Sequence, residues 1–345
     1  MKTRYALTAL AAAAAMTAGA GTASAMADKL TAVGSLTQSN LLLISFKTNF
    51  MKPINEKLKG MVEIKFLGGQ EIVPPRKAVN ALKRNQFNML HSPTAYYIGT
   101  VPEGYALLAA NQGPRALRAN GAWEILQEAY LKKAGAHLLA WGDSMTSYNT
   151  YLVKMPKFDK DGVPDLTGLK MRATGTYRPL FRALGATTIN IKSSEIMTAV
   201  QRGTVVGFGW PDISIVPLGL HKVAKYRIQP NYYQTNTVVT VHAGTWNKLA
   251  KDRKDALVAA AKEYEDVSVH WMEKERVKED KVVKAAGVKD IVLEGKAAAR
   301  YLDIAHGEVW KQLKERSEYH DKLRPLMYIP GKPNRQADLG RALRQ

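Results

Sequence analysis

Arg172 is the residue whose type and place speak most directly of chemistry. It closes the run Leu169-Lys170-Met171-Arg172-Ala173, just ahead of Thr174-Gly175. An apolar strand that ends in a Gly/Thr-rich turn sets this side chain at the carboxyl edge of a sheet, where open α/β sheets bind ligands. A guanidinium there offers a planar fork for a carboxylate, with two parallel charge-assisted hydrogen bonds. The same arginine would also serve to pair with a surface acid, and its place alone leaves both readings open. Asp212 is a second candidate. It would meet an amine or hydroxyl of a ligand, or sit as an acid at a helix N-terminus after Pro211.

Catalytic signatures are missing around these residues. The histidines are His91, His137, His221, His242, His270, His306 and His320. No two stand at a metal-ligand spacing such as i, i+4, and no H-E-x-x-H occurs. Each reads as an ordinary surface or loop histidine. No G-x-S-x-G elbow and no P-loop is present. Gly207-Phe208-Gly209 begins like a dinucleotide fingerprint, but Asp212 stands where the third glycine belongs. The absence of cysteine removes disulfides, thiol catalysis and cysteine metal ligands, and with them lipid attachment through an N-terminal cysteine. The expectation is a binding protein with no catalytic residues, no metal ligands and no cofactor. An exported lyase or hydrolase is the weaker alternative.

The elements that must position Arg172 alternate cleanly. Strands are expected over Tyr151 to Lys154, Leu169 to Ala173, Thr187 to Ile191 and Thr204 to Phe208. Helices are expected over Thr176 to Leu184, stopped by Gly185, and over Ser194 to Arg202, stopped by Gly203. This βαβαβ order implies a parallel sheet covered by helices. Upstream, Leu30 to Gly34 and Met61 to Leu67 read as strands, since Val62, Ile64 and Phe66 alternate with Glu63 and Lys65. Phe46 to Leu58 reads as a helix interrupted at Pro53. Gly121 to Lys133 reads as a helix stopped by Gly135, and His137 to Trp141 as the strand after it. A β-branched run returns at Thr235 to Val241. Trp246 to roughly Ala285 then reads as one continuous helix, about 60 Å long and so longer than a single lobe.

The chain has 345 residues, enough for two lobes with cores of their own, and 46% hydrophobic residues suit a folded globular protein. Lys2 and Arg4, the Ala/Leu run Ala6 to Ala18 and the small residues Ala23-Ser24-Ala25 read as a secretory signal peptide over residues 1–25, with a cut after Ala27 as the alternative. The apolar run is too short for a membrane anchor. A soluble, periplasmic protein follows. The formal charge of +20 loses two with Lys2 and Arg4. Its basic residues are scattered and the protein is exported, so no nucleic acid is expected; the excess would steer anions toward the protein. Lys311 to Arg344 reads as a solvated C-terminal surface.

Several segments come in a telling order: Leu184-Gly185-Ala186, Ser194-Glu195-Ile196, Ala199-Val200-Gln201-Arg202-Gly203-Thr204-Val205-Val206-Gly207 and Val223-Ala224-Lys225-Tyr226 follow the Arg172 strand. The series resembles the signature of the DctP-type substrate-binding proteins of tripartite ATP-independent periplasmic (TRAP) transporters. Gly68-Gly69-Gln70 resembles that family's early G-G-Q. Met197 departs from its usual Tyr, and Val206 from its usual Asp. The resemblance implies an α/β, two-lobed periplasmic binding protein fold with a long lobe-spanning helix. Lobe I would take residues 28–142 plus 238–275, and lobe II residues 143–237 plus 276–345.

The same resemblance implies capture of a small organic acid for the membrane subunits of a secondary transporter, by a monomer. A binding protein for an ATP-driven importer or a chemoreceptor is the alternative. Arg172 matches the family's carboxylate-binding arginine, and Trp210 falls at a ligand-facing position. Gly209 stands where members that hold a metal beside the ligand carry a Glu. Ser144, Asn149 and Tyr151 would join from the strand crossing between lobes, Tyr96 and Ser39 from the first lobe, and Tyr233 and Asn236 from near the return crossing. About half of these are expected to touch the ligand.

Overall fold

The strands sort into two separate sheets, and the chain passes between them three times. A computed structural model describes residues 27–144 and 146–330; the signal-peptide reading of residues 1–25 lies outside them. Along the chain, β1 (Asp28–Gly34), β2 (Val62–Gly68), β3 (Met89–Pro93) and β4 (Ala136–Trp141) come first. Then follow β5 (Tyr148–Leu152), the small pair β6 (Lys157–Phe158) and β7 (Pro164–Asp165), β8 (Lys170–Arg172), β9 (Thr187–Ile189), β10 (Gly207–Pro211) and β11 (Tyr226–Tyr232). Last come β12 (Thr237–His242) and β13 (Lys289–Val292).

The first lobe is built on the sheet β2-β1-β3-β12-β4, the second on β13-β11-β5-β10-β8-β9. β1 lies parallel to β2 and β3, whereas β12 inserts antiparallel between β3 and β4. In the second sheet β8 is parallel to β9 and β10, as the βαβαβ reading requires, and β5 runs antiparallel between β10 and β11. β5 and β10 are buried throughout, as is most of β3 and β12, because both faces of these inner strands are covered. β2 lies at an edge, and its Glu63 and Lys65 alternate outward from buried Val62 and Ile64.

The long helix runs over Lys251–Ala285, 35 residues or about 52 Å. Leu257, Ala261 and Tyr264 bury into the first-lobe core with Leu30, Phe46 and Phe50, while Val283 joins Tyr151, Phe208 and Ile196 in the second lobe. The helix therefore ties the two lobes together. It does not start at Trp246, as the sequence pattern suggests. Ala243–Lys248 is a separate helix, because Leu249 and Ala250 turn extended (ψ 140° and 156°) and Leu249 drops into the core.

Other expectations need correction. The third strand of the βαβαβ unit is Gly207–Pro211, not Thr204 to Phe208. Gly203 turns at φ +70°, Val205 drops into the core, and the register with β8 begins only at Gly207. The helix expected from Phe46 starts at Leu41, where the Asn40 side chain accepts from Leu42 N at 3.0 Å. Its middle turns, Phe46–Met51, wind as a π-helix ahead of Pro53, whose missing N–H cannot serve an α-helical bond. From Lys311 to Pro330 the expected solvated surface holds for one face only: Lys311, Lys314, Arg316, Lys322 and Arg324 are exposed, while the opposite face packs inward. Helices Gly295–Lys314 and His320–Met327 bury Leu313, Leu323 and Met327, and residues 331–345 lie outside the described part. His91, His221, His306 and His320 are buried rather than surface residues. His91 sits on β3 and stacks on Phe46 at 4.5 Å.

Candidate ligand-binding site

β8 is only three residues long, and its last residue is Arg172, 3% exposed. Nε donates to Ile191 O at 3.1 Å and Nη1 donates to Gly209 O at 3.2 Å. The guanidinium lies 5.5 Å from the centre of the Trp210 ring. No acid forms an ion pair with it among the described residues. Burial lowers its pKa from the ordinary value, with the Tyr177 and Tyr96 hydroxyls opposing the shift. Two carbonyl dipoles orient the fork without neutralising it, and a buried charge without a counter-charge is costly.

Arg172, Tyr96, Tyr148, Tyr177, Trp210 and Asp212 form one connected group. Tyr96 ends the 3₁₀ turn Thr94–Tyr96 after β3, so it comes from the first lobe. Tyr148 meets Tyr177 edge-on, with ring centroids 5.5 Å apart, and senses Tyr96 and Asp212 electrostatically. Burial raises the pKa of Tyr96, Tyr148 and Tyr177, which keeps their hydroxyls neutral. Tyr177 also decides what can stand at position 209. A Cβ there would lie 2.1 Å from the Tyr177 ring, so the space that a Glu would need is filled by an aromatic wall. Among the described residues no cluster of three His, Asp or Glu is placed to hold a metal ion.

The other sequence-predicted residues scatter around this group. Asn149 pairs with Trp210 across β5 and β10 and accepts from Gln229 Nε2 at 3.1 Å, while its own Nδ2 finds no partner among the described residues. Ser144 is buried in the first crossing, and its Oγ likewise has no partner among the described residues. Tyr151 stacks on Phe208 at 5.4 Å, on the face toward Arg227. Asp212 follows the end of β10 in a loop and heads no helix, so the capping alternative is corrected; it is buried and senses Tyr148, Tyr151 and Arg276. Asn236 donates to Thr94 Oγ1 and to Gly104 O, which locks the return crossing to the first lobe. Tyr233 donates to Ala305 O at 2.9 Å and packs edge-on against Tyr232 and His306 in the core. Ser39 is exposed, 3.5 Å from Thr37 Oγ1. Sequence reasoning missed Tyr148 and Tyr177, which belong to this group. Tyr148 and Tyr177 each stand within a few residues of a residue it had named, which was the available signal.

The crossings themselves are clamped. Asp143 is fully buried at φ +55°; its carboxylate accepts from Ser45 Oγ (2.6 Å) and Tyr264 Oη (3.1 Å). Its N–H donates to Ser268 Oγ at 2.8 Å, and its carbonyl accepts from Thr235 Oγ1 of the return crossing. Burial pushes its pKa up to about 7. Gly142 is required beside it, since a Cβ would lie 2.2 Å from the Tyr264 ring. Next to Gly175, an open cleft of about 340 Å³ carries Arg178, Arg182, Lys311 and Arg316 against Glu308 and Glu315.

Residues 34–316 match the family described as bacterial extracellular solute-binding protein, family 7, DctP. A monocarboxylate 2-oxoacid-binding periplasmic protein of Nostoc is 26% identical over 219 residues. That match covers 61% of this chain and 59% of the relative, so it spans less than two thirds of that protein's length. A solute-binding protein of Albidiferax ferrireducens is 22% identical over 81% of this chain and 83% of its own. Among solved structures, a TRAP periplasmic solute-binding protein of Bordetella, with density interpreted as pantoate, superposes with a TM-score of 0.70 at 20% identity, covering 86% of this chain and 98% of its own. A Bordetella pertussis extracytoplasmic solute receptor binding pyroglutamic acid gives 0.72 at 14% identity, covering 87% and 99%. These superpositions carry the fold, and the extent of the family match carries more: the chain belongs to the DctP family of bacterial extracellular solute-binding proteins.

Proposed function

We propose that this protein captures a small monocarboxylic acid outside the cytoplasm and hands it to the membrane subunits of a TRAP-type secondary transporter. The observation that carries the reading is Arg172, a buried guanidinium oriented by two carbonyls and left without an acid among the described residues. A ligand carboxylate supplies the missing charge through the N–H groups those carbonyls leave unused. Tyr96, Tyr148, Tyr177 and Trp210 then wall a compact organic body, with neutral hydroxyls as donors. One cation among aromatic walls suits one carboxylate. Solved relatives carry pantoate, pyroglutamate and sugar acids, and one curated relative is named for monocarboxylate 2-oxoacids; these support the ligand class.

The lobes act as a clamshell, with residues 28–142 plus 238–275 as one half and 143–237 plus 276–345 as the other. The open form exposes Arg172. Capture favours the shut form because Tyr96 reaches the ligand only when the lobes meet, and closure excludes water and strengthens the ion pair. The cationic cleft beside Gly175 raises the local concentration of anions. The shut monomer presents the surface that the transporter reads. A thermal-shift screen of the mature protein against organic acids tests the ligand class: a monocarboxylate raises the melting point by mass action. If no acid in a broad panel does so, while neutral sugars or amines do, the proposal fails.

A further inference from the structure

The loop after β10 reaches out of the second lobe and grips the first. Trp210, under the Arg172 guanidinium, donates from Nε1 to Ile213 O at 3.2 Å. Ile213 is fully buried, yet it packs with Leu42, Phe46 and Leu257 of the first-lobe core, whereas its neighbours Trp210 and Ile215 belong to the second-lobe cluster. Ser214 stands at φ +59°, a conformation unfavourable for a residue with a Cβ, and its Oγ accepts from Leu41 N at 3.0 Å, at the start of the first-lobe helix Leu41–Ser45. Glu279 of the long helix holds the loop in this shape, accepting from Ser214 N at 2.7 Å and Val216 N at 2.9 Å. Strain of this kind persists only where the surroundings over-determine it.

We infer that Ile213 and Ser214 form a latch: positioning residues that hold the lobes shut over the Arg172 site and link that site to closure through Trp210. The inference rests on the clamshell reading. When the lobes part, Leu41 loses its side-chain acceptor and Ile213 loses its apolar seat, so both contacts favour the shut form alone. A ligand that presses Arg172 onto Trp210 steadies the ring whose N–H holds Ile213, and the latch closes with it.

The test is independent of the natural ligand. The chain has no cysteine, so Lys59→Cys and Lys222→Cys, at exposed positions one on each lobe, take spin labels cleanly. Pulsed electron resonance then measures the ratio of short to long inter-lobe distances, without ligand and with excess pyruvate or pyroglutamate. Ser214→Gly accepts the positive φ and removes the hydroxymethyl group with the oxygen that accepts from Leu41 N; the expected result is a shut-to-open ratio about fivefold lower, the size of a lost cap. Ile213→Ala moves it the same way, and Ser214→Asn, which tolerates that φ and offers an oxygen, restores much of it. An unchanged ratio in Ser214→Gly, or a wild-type protein that stays open under every condition, overturns the latch. If the acids leave the wild-type ratio unmoved while Ser214→Gly still lowers it, the latch stands and the carboxylate reading falls.

Discussion

Arg118 and Arg172 are both largely buried guanidiniums, and they are satisfied in opposite ways. Arg118 grips Glu265 with two hydrogen bonds, at 3.0 and 2.7 Å, donates to Leu139 O at 2.9 Å and lies 3.6 Å from the centre of the Trp123 ring. Glu265 is itself buried, and also accepts from Trp141 N at 3.0 Å. Every charge at that junction is answered from within the chain. Arg227 repeats the pattern with Asp280 and Asp290. Arg172 receives two carbonyls and an aromatic face, and no carboxylate among the described residues. The first two arginines hold the lobes' internal structure together. On the proposed function, the third holds a charge ready for a guest. The contrast teaches where to look: burial of a cation alone does not set Arg172 apart, whereas burial without a counter-charge among the described residues does.

The largest effect expected from this contrast is on binding. Arg172→Met should cost about 3–5 kcal/mol of ligand affinity, two to four powers of ten, by stranding the ligand carboxylate. Its melting point without ligand should hold or rise, because an unpaired buried charge has gone. Calorimetry and thermal denaturation on the same variant read both. Arg118→Met should invert the result: stability falls by about 3–5 kcal/mol in urea, since Glu265 is left buried alone, while the folded protein keeps its ligand preference.

Asp143 sharpens the contrast between the candidate site around Arg172 and the clamped crossings. Its folded pKa, about 7, lies above the ordinary carboxylate value of 3.8. Between those values the unfolded chain releases a proton that the folded chain keeps, so this group lowers stability as pH rises from about 4 to about 7, and no further above that. Asp143→Asn, which does not titrate, should therefore gain on the wild type across that window by on the order of 3–4 kcal/mol. His91, pushed down to about 3, and His137 and His306, pushed down to about 4, act the opposite way in both proteins and cancel in the difference. Urea midpoints at pH 4, 5.5 and 7 give the answer; parallel curves would show Asp143 to be silent.

The smallest effect concerns the wall behind Arg172. Gly209→Ala should cost about 1–3 kcal/mol through overpacking on Tyr177, and most of that cost should vanish in a Tyr177→Ala background. Equal costs in both backgrounds would mean that Tyr177 does not confine this position.

Local signals made part of this legible. The alternation at Met61 to Leu67, the glycine stops at 135, 185 and 203, and the strand–turn junction at Arg172 each depend on a few neighbouring residues, and each appears in the fold. What stayed hidden depends on distant partners. β11 carries Arg227, Gln229, Pro230 and Asn231, which show no apolar alternation, and its Arg227 is answered by Asp280 and Asp290 from distant parts of the chain. The helix break at Leu249 follows from a core seat for that side chain. Tyr177 joins the candidate group only because the fold brings Gly209 under its ring. Tyr233, expected near the return crossing, stands apart from the Arg172 group, and its hydroxyl donates to Ala305 O.

The withheld counter-charge can be tested in one titration. A monocarboxylic acid found by thermal shift, and its primary amide of nearly the same shape, are titrated by calorimetry into the wild type and into Arg172→Met. The wild type should bind the acid at least a hundredfold more tightly than the amide, and the variant should bind both with similar weak affinity. Equal affinity for acid and amide in the wild type would mean that Arg172 serves the fold and not the ligand.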